Sequence, residues 1–237
     1  MMRAVLVAAL VLIAGCSAIP GTGTDIPSNS TPTADSPTPD GSSTDGELTP
    51  GMYRPVVFED PGRYVFSIST QYETDPGRVE YDVRSTALSN TEIAVDAEFA
   101  GNSHQTTISG NRIEVSDGLQ TLDSGTGSIE ADMRIFETIF EPGAWTLGRT
   151  LDVGQEWGAT IGGVAGEDSV DSTLTVTGTK TIGGVECYAL EGIADEDGRT
   201  VYEGCLAPGH GFPMQSIYYD SSGQVASLLE LQSYDPA

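Results

Sequence analysis

From about Gly51 onward the chain alternates apolar and polar positions with a period of two. Tyr64, Phe66, Ile68 and Tyr72 alternate with Val65, Ser67, Ser69 and Gln71. Asp75-Pro76-Gly77 supplies a turn, and Val79, Tyr81 and Val83 then alternate with Arg78, Glu80, Asp82 and Arg84. Ile93, Val95, Ala97 and Phe99 alternate with Glu92, Asp96 and Glu98. This period predicts strands with one buried and one wet face, as in antiparallel sheet. Gly110-Asn111 and Asp117-Gly118 read as breaks between shorter strands that follow.

One segment changes period. Ile129, Met133, Phe136 and Phe140 recur at spacings of four, three and four, with Ile139 beside them. This is an apolar helical stripe over residues 128–141, with Ser128 able to cap its start and Pro142-Gly143 to stop it. Such a helix either packs on the sheet as core or acts as a lid that brings Met133 and Phe136 to a ligand.

Strand periodicity then returns. Val170, Leu174 and Val176 alternate with Asp171, Thr173, Thr175 and Thr177. Val185 to Ile193, a turn around Asp195-Glu196-Asp197-Gly198, and Thr200 to Leu206 follow. A last pair runs from Phe212 to Tyr219, turns at Asp220-Ser221-Ser222-Gly223, and returns from Val225 to Tyr234. Cys187 and Cys205 stand equally far from Glu196, so a symmetric hairpin would place them face to face. A one-residue change in loop type would offset them, which leaves their geometry open at this level.

The first fifty residues have no such pattern. Met1-Met2-Arg3 precede an uncharged run from Ala4 to Ala14, well short of the ~20 apolar residues a membrane-crossing helix needs. A basic start, a short apolar run and small residues at its end describe an export signal. Ile13-Ala14-Gly15-Cys16 resembles the lipobox of prokaryotic lipoproteins. The resemblance implies a signal over residues 1–15, lipid attachment at Cys16, and a location on the extracytoplasmic face of the cell membrane. Residues 16–50, rich in Ser, Thr and Pro, offer little to bury and are expected to form a disordered, extended tether. Asn29-Ser30-Thr31 makes Asn29 a candidate glycosylation site, and the tether's composition also suits O-glycans. The folded domain is expected over 51–237.

Charge narrows the setting. Asp and Glu number 35 against 10 Lys and Arg, a formal charge of −25, and Lys180 is the sole lysine. In dilute buffer such a charge repels itself. At about 1 M salt the screening length shrinks to roughly 3 Å and the repulsion is largely removed. An acidic, lysine-poor chain with its acids spread along it therefore reads as adapted to strong brine, ahead of a specific acidic docking face. With no basic patch, nucleic acid is not expected as a partner. With Cys16 lipidated, Cys187 and Cys205 remain as one pair in an exported protein, a setting that permits a disulfide.

Candidate chemistry is sparse. His104 falls on a polar strand and His210 in the loop Pro208-Gly209-His210-Gly211. The chain has no G-x-S-x-G elbow, H-E-x-x-H pair, C-x-x-C or phosphate-cradling glycine loop. Asp195-Glu196-Asp197-Gly198 and Glu167-Asp168 could gather calcium, yet neither continues into an EF-hand loop. No metal, cofactor or enzymatic activity is expected.

Val153-Gly154-Gln155-Glu156-Trp157, Gly183-Gly184-Val185-Glu186-Cys187-Tyr188, and Gly211-Phe212-Pro213-Met214 with Ile217-Tyr218-Tyr219-Asp220 and Leu229-Glu230-Leu231 resemble the second half of LolA/LolB-like proteins. That resemblance, over roughly Leu151 to Tyr234, implies a mainly β fold: a curved antiparallel sheet, or half-barrel, with one helix packed on its concave face. It also implies a capacity to hold lipid acyl chains. On this expectation Phe66, Phe99, Met133, Phe136 and Phe140 are the candidate ligand-binding residues, and a lipid or other hydrophobic molecule is the candidate ligand. The alternative is a structural or interaction module of the cell envelope with a filled core and no ligand.

Overall fold

A computed structural model describes residues 51–71, 75–84, 91–99, 101–121, 142–146, 149–162 and 168–237. All of them belong to one compact unit, Ser43–Ala237. Ten strands form a single antiparallel sheet. They are β1 (Gly62–Thr70), β2 (Gly77–Val83), β3 (Thr91–Phe99), β4 (Asn102–Gly110), β5 (Glu156–Ile161), β6 (Val170–Ile182), β7 (Val185–Ala194), β8 (Thr200–Leu206), β9 (Pro213–Tyr219) and β10 (Val225–Pro236). Their order across the sheet is β4-β3-β2-β1-β10-β9-β8-β7-β6-β5. Two meanders of sequential hairpins are thus joined where β1 pairs with β10, and β4 and β5 are the edges. The mainly β, antiparallel architecture expected from the alternation is present. The strands expected over 64–68, 79–83, 93–99 and from residue 170 onward all form.

The region after β4 differs from its expected breaks. Arg112–Thr121 is a helix, α1. Asn111 Oδ1 accepts the Glu114 N–H at 3.2 Å while Glu114 Oε2 accepts the Asn111 N–H at 2.8 Å, a reciprocal cap that satisfies two donors at the start of the helix. Val115 and Leu119, four apart, are fully buried. Asp117-Gly118 is therefore not a turn. Gly118 marks close contact, since a Cβ there would come within 2.5 Å of Ile108 Cγ2 on β4. The local turn signal was outweighed by the cap and by packing. The helix expected over 128–141, with Met133, Phe136 and Phe140, lies outside the described residues, as do Tyr72, the signal, Cys16, Asn29 and the tether.

Cross-strand register assigns the sheet's two faces. Gly77, Ile68, Leu229, Ser216, Gly204, Leu190 and Val176 follow one another across seven strands and share one face. Phe66, Val79 and Tyr81 stand on the same inner face. The opposite, outer row is Arg78, Ser67, Glu230, Gln215, Cys205 and Ala189.

The buried apolar side chains form two clusters. The first gathers Phe58, Tyr64, Phe66, Ile68, Val79 and Tyr81 with Val115, Leu119, Phe212 and Leu229. The second gathers Tyr53, Trp157, Leu174, Val176, Leu190, Tyr202 and Tyr218, with Trp145 against it. Between them lie the small residues Ser216 and Gly204. The ring of Tyr202 occupies the space a side chain at Gly204 would need, and its hydroxyl lies 3.4 Å from Ser216 Oγ.

Candidate functional site

The segment from Gly51 to Asp60 enters the domain as a strap laid on the inner face. Leu151 N–H donates to the Gly51 carbonyl, and Met52 bridges to Thr150. Further along, Tyr53 Oη donates to the Gly211 carbonyl at 3.2 Å and Val56 N–H donates to the same oxygen at 2.8 Å. Glu59 N–H donates to the Gly209 carbonyl at 2.7 Å. Val56, a β-branched residue at φ 57° and 4% exposed, is held in the left-handed region by these bonds and its burial. Gly211 takes φ 71°, and a Cβ there would meet the Phe58 ring at 2.7 Å. The loop glycine serves both the turn and the seat of the strap.

Once seated, the strap fills the inner face of β1 to β3. Phe58 and Phe212 meet edge to face at 4.7 Å between centroids, and Phe212 lies 4.5 Å from Tyr81 and 6.0 Å from Phe66. Phe66 is 1% exposed and Phe99 8% exposed. These two candidate ligand residues are therefore packed against the chain's own side chains. The Phe99 ring fits over Gly77, where even a Cβ would collide with it.

At one end of the strap His210, Tyr64, Tyr234 and Asp60 form a clasp. Tyr64 Oη donates to the Asp60 carbonyl at 2.6 Å and lies 3.1 Å from His210 Nδ1. With the Tyr64 proton committed to that carbonyl, Nδ1 is the donor to the phenol oxygen. Nε2 then faces the Asp60 carboxylate at 3.8 Å. The His210 ring packs edge-on against Tyr64 and Tyr234, and Tyr234 Oη donates to the Pro61 carbonyl. Burial pushes the His210 imidazole below its ordinary value, with the Asp60 charge opposing the shift. Burial likewise raises the Tyr64 phenol far above its ordinary value. A buried imidazole against a protonated phenol fastens the strap. The sequence marked His210 through its glycine-flanked loop, but gave no sign of Tyr64 and Asp60 as its partners, which lie about 150 residues away (146 for Tyr64). His104 is on edge strand β4 opposite Ala97, and its buried Nε2 has no hydrogen-bond partner.

Cys187 and Cys205 form a disulfide, with Cα atoms 5.5 Å apart. They are not directly opposite each other, because Ala189 faces Cys205. The turn pairs Ala194 with Arg199, one residue off the symmetric arrangement, and a bulge between Gly192 and Ile193 adds a second offset. A slip of one residue would send the two side chains to opposite faces, whereas two slips restore a shared face and make them diagonal neighbours. Lys180 is the register partner of Cys187, and Gln215 that of Cys205. Lys180 Nζ donates to Gln215 Oε1 at 2.5 Å, spanning the two strands that the disulfide joins, and Gln215 Nε2 donates to Glu230 Oε2 at 2.6 Å. Burial lowers the Lys180 amine, with Glu203 and Glu230 opposing.

The remaining outer surface is charged. Arg63 and Arg78 both pair with Glu80, and Arg84 with Asp82 and Glu92. An open groove of about 400 Å3 over β2 to β4 is lined by Glu80, Asp82, Asp96, Gln105 and Thr107. A second, of about 780 Å3, is lined by Asp168, Asp171, Asp195, Glu196, Arg199 and Ser221. There the Asp195 carboxylate accepts from Thr173 Oγ1 and Asp197 pairs with Arg199. Among the described residues no group of three or more His, Cys, Asp and Glu is placed to hold a metal ion. Nor is any helix among them long and apolar enough to cross a membrane.

No protein-family model and no curated protein matches the chain. Among solved structures it is similar to MucB in the MucA/MucB complex of Pseudomonas aeruginosa, at 12% identity and TM-score 0.41. That match covers 75% of this chain and 52% of the other. It is similar to a candidate exported protein with a YmcC-like fold from Bacteroides fragilis, at 11% identity and TM-score 0.30, covering 78% and 99%. A candidate lipoprotein from Parabacteroides distasonis matches at 11% identity and TM-score 0.31, again over 78% and 99%. The chain spans about half the length of the MucB structure it matches. Likeness at this level fixes no activity.

Proposed function

We propose that the protein is a lipoprotein anchored through Cys16 at the extracytoplasmic face of the cell membrane, working in strong brine. Its folded part is a non-catalytic interaction module whose outer surface meets other molecules of the envelope. The lipobox-like Ile13-Ala14-Gly15-Cys16 supports the anchor, and the charge of −25 with one lysine supports the brine setting. The interaction reading rests on one observation. The inner face of β1 to β3 is filled by the chain's own Phe58, Phe212, Val115 and Leu119, which leaves Phe66 and Phe99 in the core.

Two measurements test this reading. Cys16→Ser protein should leave the membrane fraction and carry no lipid mass; full membrane retention with lipid mass would overturn the anchor. A fluorescent acyl-chain probe titrated into the purified protein at molar salt should show no saturable binding. Saturable binding that Phe136→Asp weakens in a folded protein would replace the interaction reading with a lipid-holding half-barrel. In that case Phe66, Phe99, Met133, Phe136 and Phe140 would be the lining.

A further inference from the structure

The two edges of the sheet are unlike. β5 has six residues, and Trp145 Nε1 donates to its Thr160 carbonyl at 3.2 Å. β4 has nine residues and pairs with β3 from Thr91↔Gly110 to Phe99↔Asn102 without a register shift. Among the described residues no strand lies on its other side. Its sequence, Asn102-Ser103-His104-Gln105-Thr106-Thr107-Ile108-Ser109-Gly110, contains no Pro, Lys, Arg, Asp or Glu. Charge, proline, bulges and short length are among the devices that keep sheet edges from pairing with other chains, and β4 has none of these four.

The flanks of this edge indicate what would pair with it. On the outer face Ser103, Gln105 and Ser109 are exposed and stand in register with Glu98, Asp96 and Glu92 of β3. Asp96 and Glu98 make no ion pair among the described residues, though Asp96 Oδ2 accepts from Gln105 Nε2 at 2.9 Å and keeps its other oxygen for a cation. Asp96 also helps to line the groove of about 400 Å3, together with Glu80 and Asp82. The β4 side chains on this face are mostly short hydroxyls, so a long basic side chain on an added strand could lie across β4 and reach these carboxylates. On the inner face Thr106 and Ile108 are half-buried, with α1 packed on Ile108. That flank suits β-branched apolar residues.

We propose, building on the interaction-module reading, that β4 accepts an extended segment of another envelope protein as an eleventh strand. The segment alternates basic residues, which meet Asp96 and Glu98, with β-branched apolar ones, which meet Thr106 and Ile108. Main-chain hydrogen bonds supply the pairing and the alternating side chains the specificity. A second copy of this chain fits less well, because it would bring its own Asp96 and Glu98 toward ours. Ion pairs in direct contact persist in brine, where the screening length is itself about one contact distance.

The test uses the full-length protein in a non-ionic detergent and a labelled peptide alternating lysine and valine, followed by fluorescence anisotropy at fixed salt. It should bind saturably and about tenfold more tightly than a glutamate–valine control, the sum of a few cross-strand charge pairs. Asp96→Asn with Glu98→Gln should remove most of that preference. Adjacent strand residues aim their N–H groups to opposite sides, so one of Thr106→Pro and Thr107→Pro blocks the open edge while keeping the β3 ladder. The variant that stays folded should lose binding. In histidine-selective NMR, His104 should shift on binding while His210 does not. Equal binding of both peptides, or binding indifferent to the proline and carboxylate variants, overturns the proposal. So do dimers that the proline variant abolishes, since the occupant is then a second copy. Such a failure without acyl-probe binding leaves the interaction-module reading standing, whereas acyl-probe binding removes that reading itself.

Discussion

The inner face is filled in two places by two different means. Around Phe212 the filling comes from far along the chain: the strap with Phe58, the loop with His210 and Gly211, and α1 are all brought over β1 to β3. Around Trp145 the filling is mostly the sheet's own large side chains. Tyr202 and Tyr218 pack at 5.2 Å and Trp145 meets Tyr202 edge-on at 4.9 Å. The first region depends on non-local closure, and the second on strands that are hairpin neighbours. The strap reaches this second region too, through Tyr53. The inner rows of β2 and β3 carry Val79, Tyr81, Val83, Ile93, Val95, Ala97 and Phe99, and the strap and the His210 loop add the rings of Phe58 and Phe212 over them.

The largest expected effect breaks the first region. Phe212→Ala should destabilise the domain by about 3–5 kcal/mol, the usual cost of emptying an aromatic site in a core. Denaturant titration at molar salt gives the total, and site-resolved hydrogen exchange shows where protection is lost. If β1 to β3 and the strap lose protection before β6 and β7, the two regions are separable units. Uniform loss would make the row from Ile68 through Ser216 to Val176 a single cooperative core.

Next in size is the disulfide, which joins β7 to β8 on the outer face. Replacing both Cys187 and Cys205 by Ser should cost about 3 kcal/mol on the chain-entropy model for its 18-residue separation. Free thiols titrated in denatured, unreduced protein should be near zero. Two reactive thiols there would show that the bridge does not form in the cell envelope.

The smallest expected effect is the pH response of the clasp. Burial lowers the His210 imidazole, so below the ordinary value of 6.5 the unfolded chain binds a proton that the folded chain resists. Stability should therefore be highest above that value and fall as pH drops through it, partly offset because Nε2–H then faces Asp60. His210→Gln should flatten the slope between neutral and mildly acidic pH. An unchanged slope in the variant would assign the response to other groups.

The sequence by itself determined the strands. Alternation located β1, β2, β3 and every strand from β6 onward, because a half-buried sheet imposes its period on side chains directly. It also brought Cys187 and Cys205 into one hairpin. Tertiary structure alone decided the rest. Residues 112–121 carry a turn-like Asp-Gly, yet the Asn111–Glu114 cap and the contact with Ile108 make them a helix. The cysteine register emerged from two one-residue offsets that no local signal specifies. Phe66 and Phe99 read as candidate ligand-binding residues, since apolar alternation reports that a face is covered and not by what. The cover came from Phe58 and Phe212, at sequence separations that periodicity does not sense, and long-range closure of that kind is settled only when the whole sheet assembles.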